Sequence, residues 1–498
     1  MPAQRTPPGV LACALVASAL LAAASPARAG GFAVPEVGVR RTGMGAVIGR
    51  PDEPSAVYHN PAGLTLLEGT RLYVSFGAGL LQSEMRLRPW AGSDRFITQP
   101  VDSSGYYPSA SPKIAIGLIP MIVATTSLWR DRLYGALSFS VPNGTGSILP
   151  ADGVTRYHLI TGYLITGLWS GTVAWRALPW LSVGAGVGAM YVRIYGRRLF
   201  FPIVNGEDYS NFLGSKTELT MSGSDVVPNW TVGLLGRPHP RVSLGMTVIG
   251  RSDVTLEGPV KVKLGDDALM QTTLSGSQRT GVVIPWTLLA GANVDVTRHV
   301  EVGAEFRYYF YHDYRSQHTD LTGIELITEL DTPKNYTDSW QIAGGVRVHS
   351  LPRVPALDLM AGAHYDITPA PPQTVSLDQP TFTHLGFRFG ARYTLRDRYR
   401  LGFSYTRYWY LVPTTEGSLT TPPTNFKGKG ANNILTVSFE AVLGRGLGQM
   451  WRRTTAAHPA PATAPPPPSP RPPASTATPA STPAPASTPA PASTQPGT

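Results

Sequence analysis

The sequence predicts an all-β chain: a transmembrane antiparallel β-barrel of about fourteen strands with an N-terminal plug (hatch) inside the lumen. Three observations predict it. Apolar and polar residues alternate strictly over stretches of about ten residues, the length a tilted membrane strand needs. The connections between those stretches alternate short and long. An export signal heads the chain, and no later run of about eighteen apolar residues offers a spanning helix.

The signal is read first. In "MPAQRTPPGVLACALVASALLAAASPARA", Arg5 is a positive n-region and Val10 to Ala24 an apolar h-region. Ala27-Arg28-Ala29 is a small-x-small cleavage site, so residues 1–29 read as a secretory signal peptide and Gly30 as the mature start. Cys13 lies at the front of the h-region, where a lipoprotein cysteine does not belong. It is the sole cysteine, so the mature chain has neither a disulfide framework nor a thiolate metal site. The formal charge of +10 includes Arg5 and Arg28, which leaves 10 − 2 = +8 on the mature chain. Those cations are scattered, and no nucleic-acid partner is expected. Charged residues make up 15% of the chain, below the quarter or so usual for soluble domains. That composition suits a protein whose apolar surface faces lipid.

The strands come next. "RLYVSFGAGL" puts Leu72, Val74, Phe76, Ala78 and Leu80 on one face. "EVGAEFRYYF" sets Val302, Ala304, Phe306, Tyr308 and Phe310 against Glu301, Gly303, Glu305, Arg307 and Tyr309. "WLSVGAGVGAMYV" and "LGFRFGARYTL" repeat the pattern, the latter with Arg388 and Arg392 on its polar side. Period two with one oily face means strands. The runs lie near 70–80, 112–126, 131–143, 162–176, 180–195, 226–236, 241–252, 282–296, 299–313, 336–349, 355–366, 382–395, 399–411 and 432–443.

A soluble sandwich and a membrane barrel share that alternation, and the connections separate them. "LWRDRL", "WRALPW", "GRPHPR", "VTRHV", "HSLPRVP" and "LRDRY" are tight turns. Between them lie long polar stretches such as 81–111, 196–225, 253–281 and 314–335, read as loops. Short turns on one side and long loops on the other describe an outer-membrane barrel with its short side periplasmic. Trp175, Trp180, Trp286, Tyr308, Tyr408, Trp409 and Tyr410 lie near strand ends, as interfacial girdles do.

Two segments flank the barrel at 70–445. Residues 446–498 become a Pro/Ala/Ser/Thr tail with an "ASTPAP" repeat, a composition that cannot bury a core and is expected to be disordered. Residues 30–69, "GGFAVPEVGVRRTGMGAVIGRPDEPSAVYHNPAGLTLLEG", lack alternation and are mostly small or apolar. A segment of that length ahead of a barrel has one place to fold, inside the lumen. Its Asn60-Pro61 is a turn signal, since proline sets its own φ and moves the preceding residue out of the helical region.

The chain resembles the FadL-type long-chain fatty acid outer-membrane transporters, which include the toluene and aromatic-hydrocarbon porins. The N-terminal block "GGFAVPEVGVRRTGMGAVIG…SAVYHNPAGLTLLEGT" is the most specific match. "LSFSVPNGTG", "MTVIGRSDVTLEG" and "AHYDITPAPPQTVSLDQPTFTHLGFRFGARY" follow in family order. The resemblance covers the mature chain except the tail. It implies a fourteen-stranded barrel with an N-terminal hatch, and passive passage of a hydrophobic ligand that leaves sideways or through the hatch. It also implies that Asn60, Pro61 and Ala62 match the hatch motif, and that Phe32 matches an aromatic contacting the internal pocket. One departure is the tail, because family members end in an aromatic residue on the last strand.

The alternation turns Glu301, Glu305, Arg307, Arg347, Arg388, Arg392 and Glu440 inward. Arg307, Arg347, Arg388 and Arg392 are candidate anchors for a ligand carboxylate, since guanidinium binds carboxylate in a fork. The other reading, preferred, is a structural network with Glu301 and Glu305 that ties plug to wall. G-x-S-x-G, H-E-x-x-H, Walker A and C-x-x-C are all missing, so neither enzyme chemistry nor a cofactor or metal is expected. The expected function is outer-membrane transport of hydrophobic molecules, with long-chain fatty acids as the best single substrate. A barrel enzyme of lipase or protease type and a general porin are the alternatives. The expected partners are that small molecule and outer-membrane lipid, around a monomer.

Overall fold

Strands with one oily face are stable in a membrane only when every backbone N–H and C=O is paired, which forces a closed sheet. The computed structural model describes residues 36–444 and 446, except 114, 130, 143, 205–206, 267, 269–271, 325–326, 379 and 445. The expected signal peptide, Phe32 and all of the tail but Gly446 lie outside these residues. The wall has 14 strands. They are β1 (Thr70–Leu87), β2 (Ile116–Trp129), β3 (Leu133–Ser140 with Gly144–Ile148), β4 (Thr161–Leu178) and β5 (Leu181–Leu199). Next come β6 (Glu218–His239), β7 (Val242–Ile249 with Ser252–Lys263), β8 (Thr273–Ile284 with Thr287–Asp295), β9 (Val300–Tyr309 with Ser316–Thr322) and β10 (Glu329–Pro333 with Ser339–Val348). Then come β11 (Leu357–Asp366), β12 (His384–Leu395), β13 (Tyr399–Tyr410) and β14 (Phe426–Gly444). Each strand pairs antiparallel with its sequence neighbours, and β14 closes on β1 from Thr70↔Gly444 to Leu87↔Phe426.

The two faces follow the alternation. Leu72, Val74, Phe76 and Leu80 of β1 point out and are exposed, while Tyr73 and Ser75 point in and are buried. The same split puts Phe387 and Phe389 outside and Arg388 and Arg392 inside β12. The short connections are tight. Arg396 and Asp397, between β12 and β13, both have positive φ, the signature of a hairpin turn twisted to match its strands.

Two sequence expectations are corrected. Much of the stretches read as long loops is strand. Residues 81–87, 196–199, 218–225, 253–263 and 273–281 extend the wall beyond the alternating band. The outward residues there are largely polar, while apolar ones such as Leu219, Val254, Leu256, Val260 and Val262 are buried, the reverse of the membrane band, and backbone pairing with the neighbouring strand persists. Tyr408 and Tyr410 also do not join the outer girdle. Trp409 points out, so its neighbours turn inward, where Tyr408 is buried and both rings pack on His384.

The plug fills the lumen at the short-turn end. Residues 36–49 are all buried. Helix α1 (Val39–Met44) lies against β10 to β14, and a 3-10 helix (Pro61–Leu66) lies against β3 to β6. Between them runs a short α2 (Ala56–His59). Gly38 (φ 80°) and Gly45 (φ 90°) bracket α1 in a region that L side chains avoid, which is why six residues can turn sharply at both ends.

Candidate functional site: the hatch and the space above it

The turn at Asn60 is built from its own side chain. Asn60 is extended (φ −156°), and its Oδ1 accepts the Ala62 N–H at 3.2 Å, which starts the 3-10 helix with Pro61 at its first position. Its Nδ2 donates to Ile48 O at 3.1 Å within the plug and to Leu234 O of β6 at 2.9 Å. One amide therefore ties the turn to the rest of the plug and to the wall. The wall makes room by omission. A Cβ on Gly184 (β5) would overlap the Pro61–Ala62 backbone, one on Gly233 (β6) the Asn60 amide and Pro61, and one on Gly245 (β7) Ile48 O. Asn60→Ala removes all three bonds and is expected to weaken plug docking by about 1–3 kcal/mol. Barrel abundance and heat-modifiability should be unchanged, and uptake of a hydrophobic substrate normalised to folded protein should fall. Unchanged normalised uptake would make the turn an ordinary one.

The inward charges meet partners carried by the plug. Arg40 donates to Asp52 at 3.0 Å and to Glu301 of β9 at 2.5 Å. Arg347 (β10) reaches Glu301 at 2.5 Å and Asp52 at 2.7 Å. Arg50 grips Asp295 with both terminal nitrogens, at 2.6 and 2.8 Å. Arg392 (β12) pairs with Asp358 at 2.9 Å and lies 3.7 Å from both Asp52 and Glu53. A second cluster centres on Glu305. It accepts from Arg41 and Arg307 at 2.7 Å each and from the Val47 and Ile48 N–H groups at 2.9 and 3.2 Å. Arg388 (β12) donates to Arg41 O at 3.2 Å, bonds His364 and lies 3.5 Å from Glu36. Glu440 (β14) holds Arg71 and Arg400, at 2.5 and 3.2 Å. All four candidate anchor arginines thus contact acids or polar groups of plug and wall.

Above the plug the lumen keeps two spaces. One of about 70 Å³ abuts the hatch, lined by Val57 and Tyr58 of the plug and by Leu168, Met190 and Thr231 of the wall. The other, about 140 Å³, lies toward the long-loop end, with Leu164, Ile194, Leu219 and Met221 as apolar lining and Arg197, Arg198, Asp331 and Asp378 as charged lining. Packed apolar side chains such as Val192, Val227 and Leu256 stand in the wall near them.

A family model described as "Outer membrane protein transport protein (OMPP1/FadL/TodX)" matches residues 20–411. The chain belongs to this family. It is therefore an outer-membrane β-barrel that transports hydrophobic compounds. Among solved structures, a Pseudomonas aeruginosa FadL homologue superposes with a TM-score of 0.68 at 16% identity, covering 83% of this chain and 100% of that one. The Pseudomonas putida toluene transporter TodX gives 0.61 at 15%, covering 83% and 99%. The Ralstonia pickettii toluene transporter TbuX gives 0.61 at 14%, covering 84% and 99%. No curated protein matches.

Within this FadL/TodX chain, sequence reasoning missed the plug's half of the ion network. Arg40, Arg41, Arg50, Asp52 and Glu53 stand in a segment otherwise small or apolar. Charges in a segment expected inside a lumen must pair with inward wall charges, and that signal was available. Arg198, Lys334 and Asp378 were missed for another reason, since they lie beyond the alternating band.

Proposed function

We propose that this FadL/TodX-family barrel carries long-chain fatty acids passively, with the carboxylate held at Arg198, the charge of Lys334 behind Ser376 supporting it, and the alkyl chain in the apolar space below. The observation that carries this reading is the charge set at the upper cavity. Lys334 is fully buried behind Ser376, to whose Oγ it donates at 3.3 Å. Burial pushes the Lys334 ammonium down while Asp378 opposes the shift. Burial raises the Asp378 carboxyl, but Lys334, the Ser376 hydroxyl and Arg198 outweigh it and hold it below its ordinary range. Burial, reinforced by Arg198, lowers His158 to about 3, so its ring is neutral. Arg197, Arg198 and Lys334 against Asp331 and Asp378 leave 3 − 2 = +1, the complement of one carboxylate. A neutral hydrocarbon gains nothing from that charge. This reading moves the head-group anchor away from Arg307, Arg347, Arg388 and Arg392, whose contacts are with plug and wall.

Beside the hatch, β3 offers a sideways way out. Its ladder with β2 runs from Trp129↔Leu133 to Met121↔Ser140, whereas Gly144–Ile148 pairs with β4. Hatch-gated release toward this gap is the path we assign to the ligand.

Binding to the detergent-solubilised barrel tests the substrate. Affinity should rise with alkyl length, since each buried methylene contributes about 0.8 kcal/mol. Arg198→Met should weaken oleate binding by about tenfold to a hundredfold, the worth of a charged hydrogen bond, and leave toluene binding unchanged. Oleate affinity should also decline as pH rises through the lowered Lys334 pKa, where the ammonium loses its charge, and Lys334→Met should flatten that decline. Equal binding of oleate and its methyl ester would overturn the acid reading.

A further inference from the structure

We propose that the seam between β6 and β7 is a second lateral port, joining the cavity beside the hatch to the outer leaflet and shuttered by Trp230. The proposal rests on the transport function above but not on the identity of the substrate.

The ladder between these strands is interrupted. Thr231 pairs with Ile249, and the next ladder pair is Ser224 with Glu257. Six residues of β6, 225–230, separate the two, a span of about 23 Å along the strand. Through the same span β6 stays paired with β5, from Val226↔Tyr191 to Trp230↔Val187, and β7 with β8, from Ser252↔Ile284 onward. The break thus lies between two paired ladders, and one of the same length recurs between β8 and β9, from Thr287↔Tyr309 to Thr280↔Thr319. Its chemistry explains it. Pro228 has no N–H to give. The Val226 N–H is taken by Asp225 Oδ1 at 2.7 Å. Across the gap, Gly250 N–H donates to Trp230 O at 2.9 Å, Ser252 Oγ to Pro228 O at 2.9 Å, and Thr255 N–H to Asp225 Oδ2 at 2.8 Å. Two of these three bonds use side chains, which rotate away at less cost than a ladder unzips.

A cavity lies directly behind. Asn229, Thr231 and Ile249 of the seam and Pro285 of β8 line the same 70 Å³ space that Tyr58 of the hatch lines. Outside, the Trp230 indole covers Gly250, where any Cβ would overlap it, and meets Trp286 edge to face at 5.1 Å. Indoles of this kind mark the membrane interface. On one side of them the outward residues are Val232, Leu234, Leu244 and Met246; on the other they are Val226, Pro228, Asp253 and Glu257, where charge first enters the outer face. The seam therefore straddles the boundary between acyl chains and head groups, where an amphiphile can leave tail-first into lipid with its head still in a polar layer.

Engineered cysteine pairs test the port, because Cys13 is the sole cysteine of the sequence and lies in the predicted signal. Gly117→Cys with Gly144→Cys closes the β2–β3 gap on oxidation. Trp230→Cys with Gly250→Cys closes the β6–β7 seam. Heat-modifiability confirms that each variant is folded, and oleate and toluene both serve as tracers. With β2–β3 closed, uptake should persist. Closing β6–β7 as well should cut the remainder about tenfold, as for any gated step, and reductant should restore it. Trp230→Ala in the β2–β3-closed background should raise uptake. Abolition of uptake by the β2–β3 link alone, or a remainder unmoved by the second link, overturns the port. Failure of oleate uptake in the wild type sinks the fatty-acid reading only, since toluene still reports on the seam.

Discussion

Glu301→Ala is expected to undock the plug from an intact barrel. Glu301 is fully buried and accepts from Arg40 of the plug and Arg347 of the wall at 2.5 Å each, with Arg50 at 3.3 Å. Removing the carboxylate leaves Arg40 and Arg347 facing each other with only Asp52 shared between them. Breaking a buried ion network from one side costs about 3–5 kcal/mol, because the desolvated partners keep their charge. The strand ladder does not depend on this carboxylate, since Val302↔Val346 and its neighbours pair through backbone. The cost therefore falls on plug docking. The measurement is liposome swelling with small sugars, together with limited proteolysis of residues 36–69, at matched amounts of folded barrel. Both should rise well above wild type. Swelling and cleavage at wild-type levels would mean that other contacts alone hold the plug.

Gly245→Val should have an effect of comparable size by steric means. A Cβ there would overlap Ile48 O and approach the Asn60 amide. The atoms it meets are backbone and a fully bonded side chain, so they cannot step aside as a flexible side chain would. Overpacking costs about 1–3 kcal/mol where neighbours yield, and this site lies at the upper end. Valine is a good strand residue, so β7 itself is not harmed. The expected result is a heat-modifiable barrel with raised sugar permeability and reduced hydrophobic uptake. Gly281→Val on β8 is the control, because nothing lies within 4 Å of a Cβ at that position. If both variants behave alike, the glycine-lined wall is not what seats the hatch.

How much of this was legible in the sequence depends on which residues carry it. The alternation in "EVGAEFRYYF" was enough to place Glu301, Glu305 and Arg307 inside and Phe306 outside, because a strand has only two faces. All fourteen alternating runs recur as wall strands. The extensions of β5 to β9 read as loops because they are rich in polar residues, although "DVTLEGPVKVK" of β7 keeps a period of two with Val254, Leu256, Val260 and Val262 buried. The girdle reading of Tyr408 and Tyr410 failed on the same rule that succeeded elsewhere. Trp409 points out, and the two-face alternation around it turns Tyr408 and Tyr410 inward despite their place near a strand end.

The sequence by itself determined the barrel, the inward set of charges and the presence of a plug, because these follow from local periodicity and composition. Only the tertiary structure decided which charges meet. Arg40 and Glu301 are 261 residues apart and bond because α1 packs on β10 beside β9. Gly184, Gly233 and Gly245 look alike in sequence to any strand glycine, and become a seat for Asn60 and Pro61 only when three strands stand side by side. The assembly of Arg198, Lys334 and Asp378 likewise depends on loops and strand ends folding over one cavity. Pairing across such separations depends on the register and closure of the whole wall, which no local window of residues encodes.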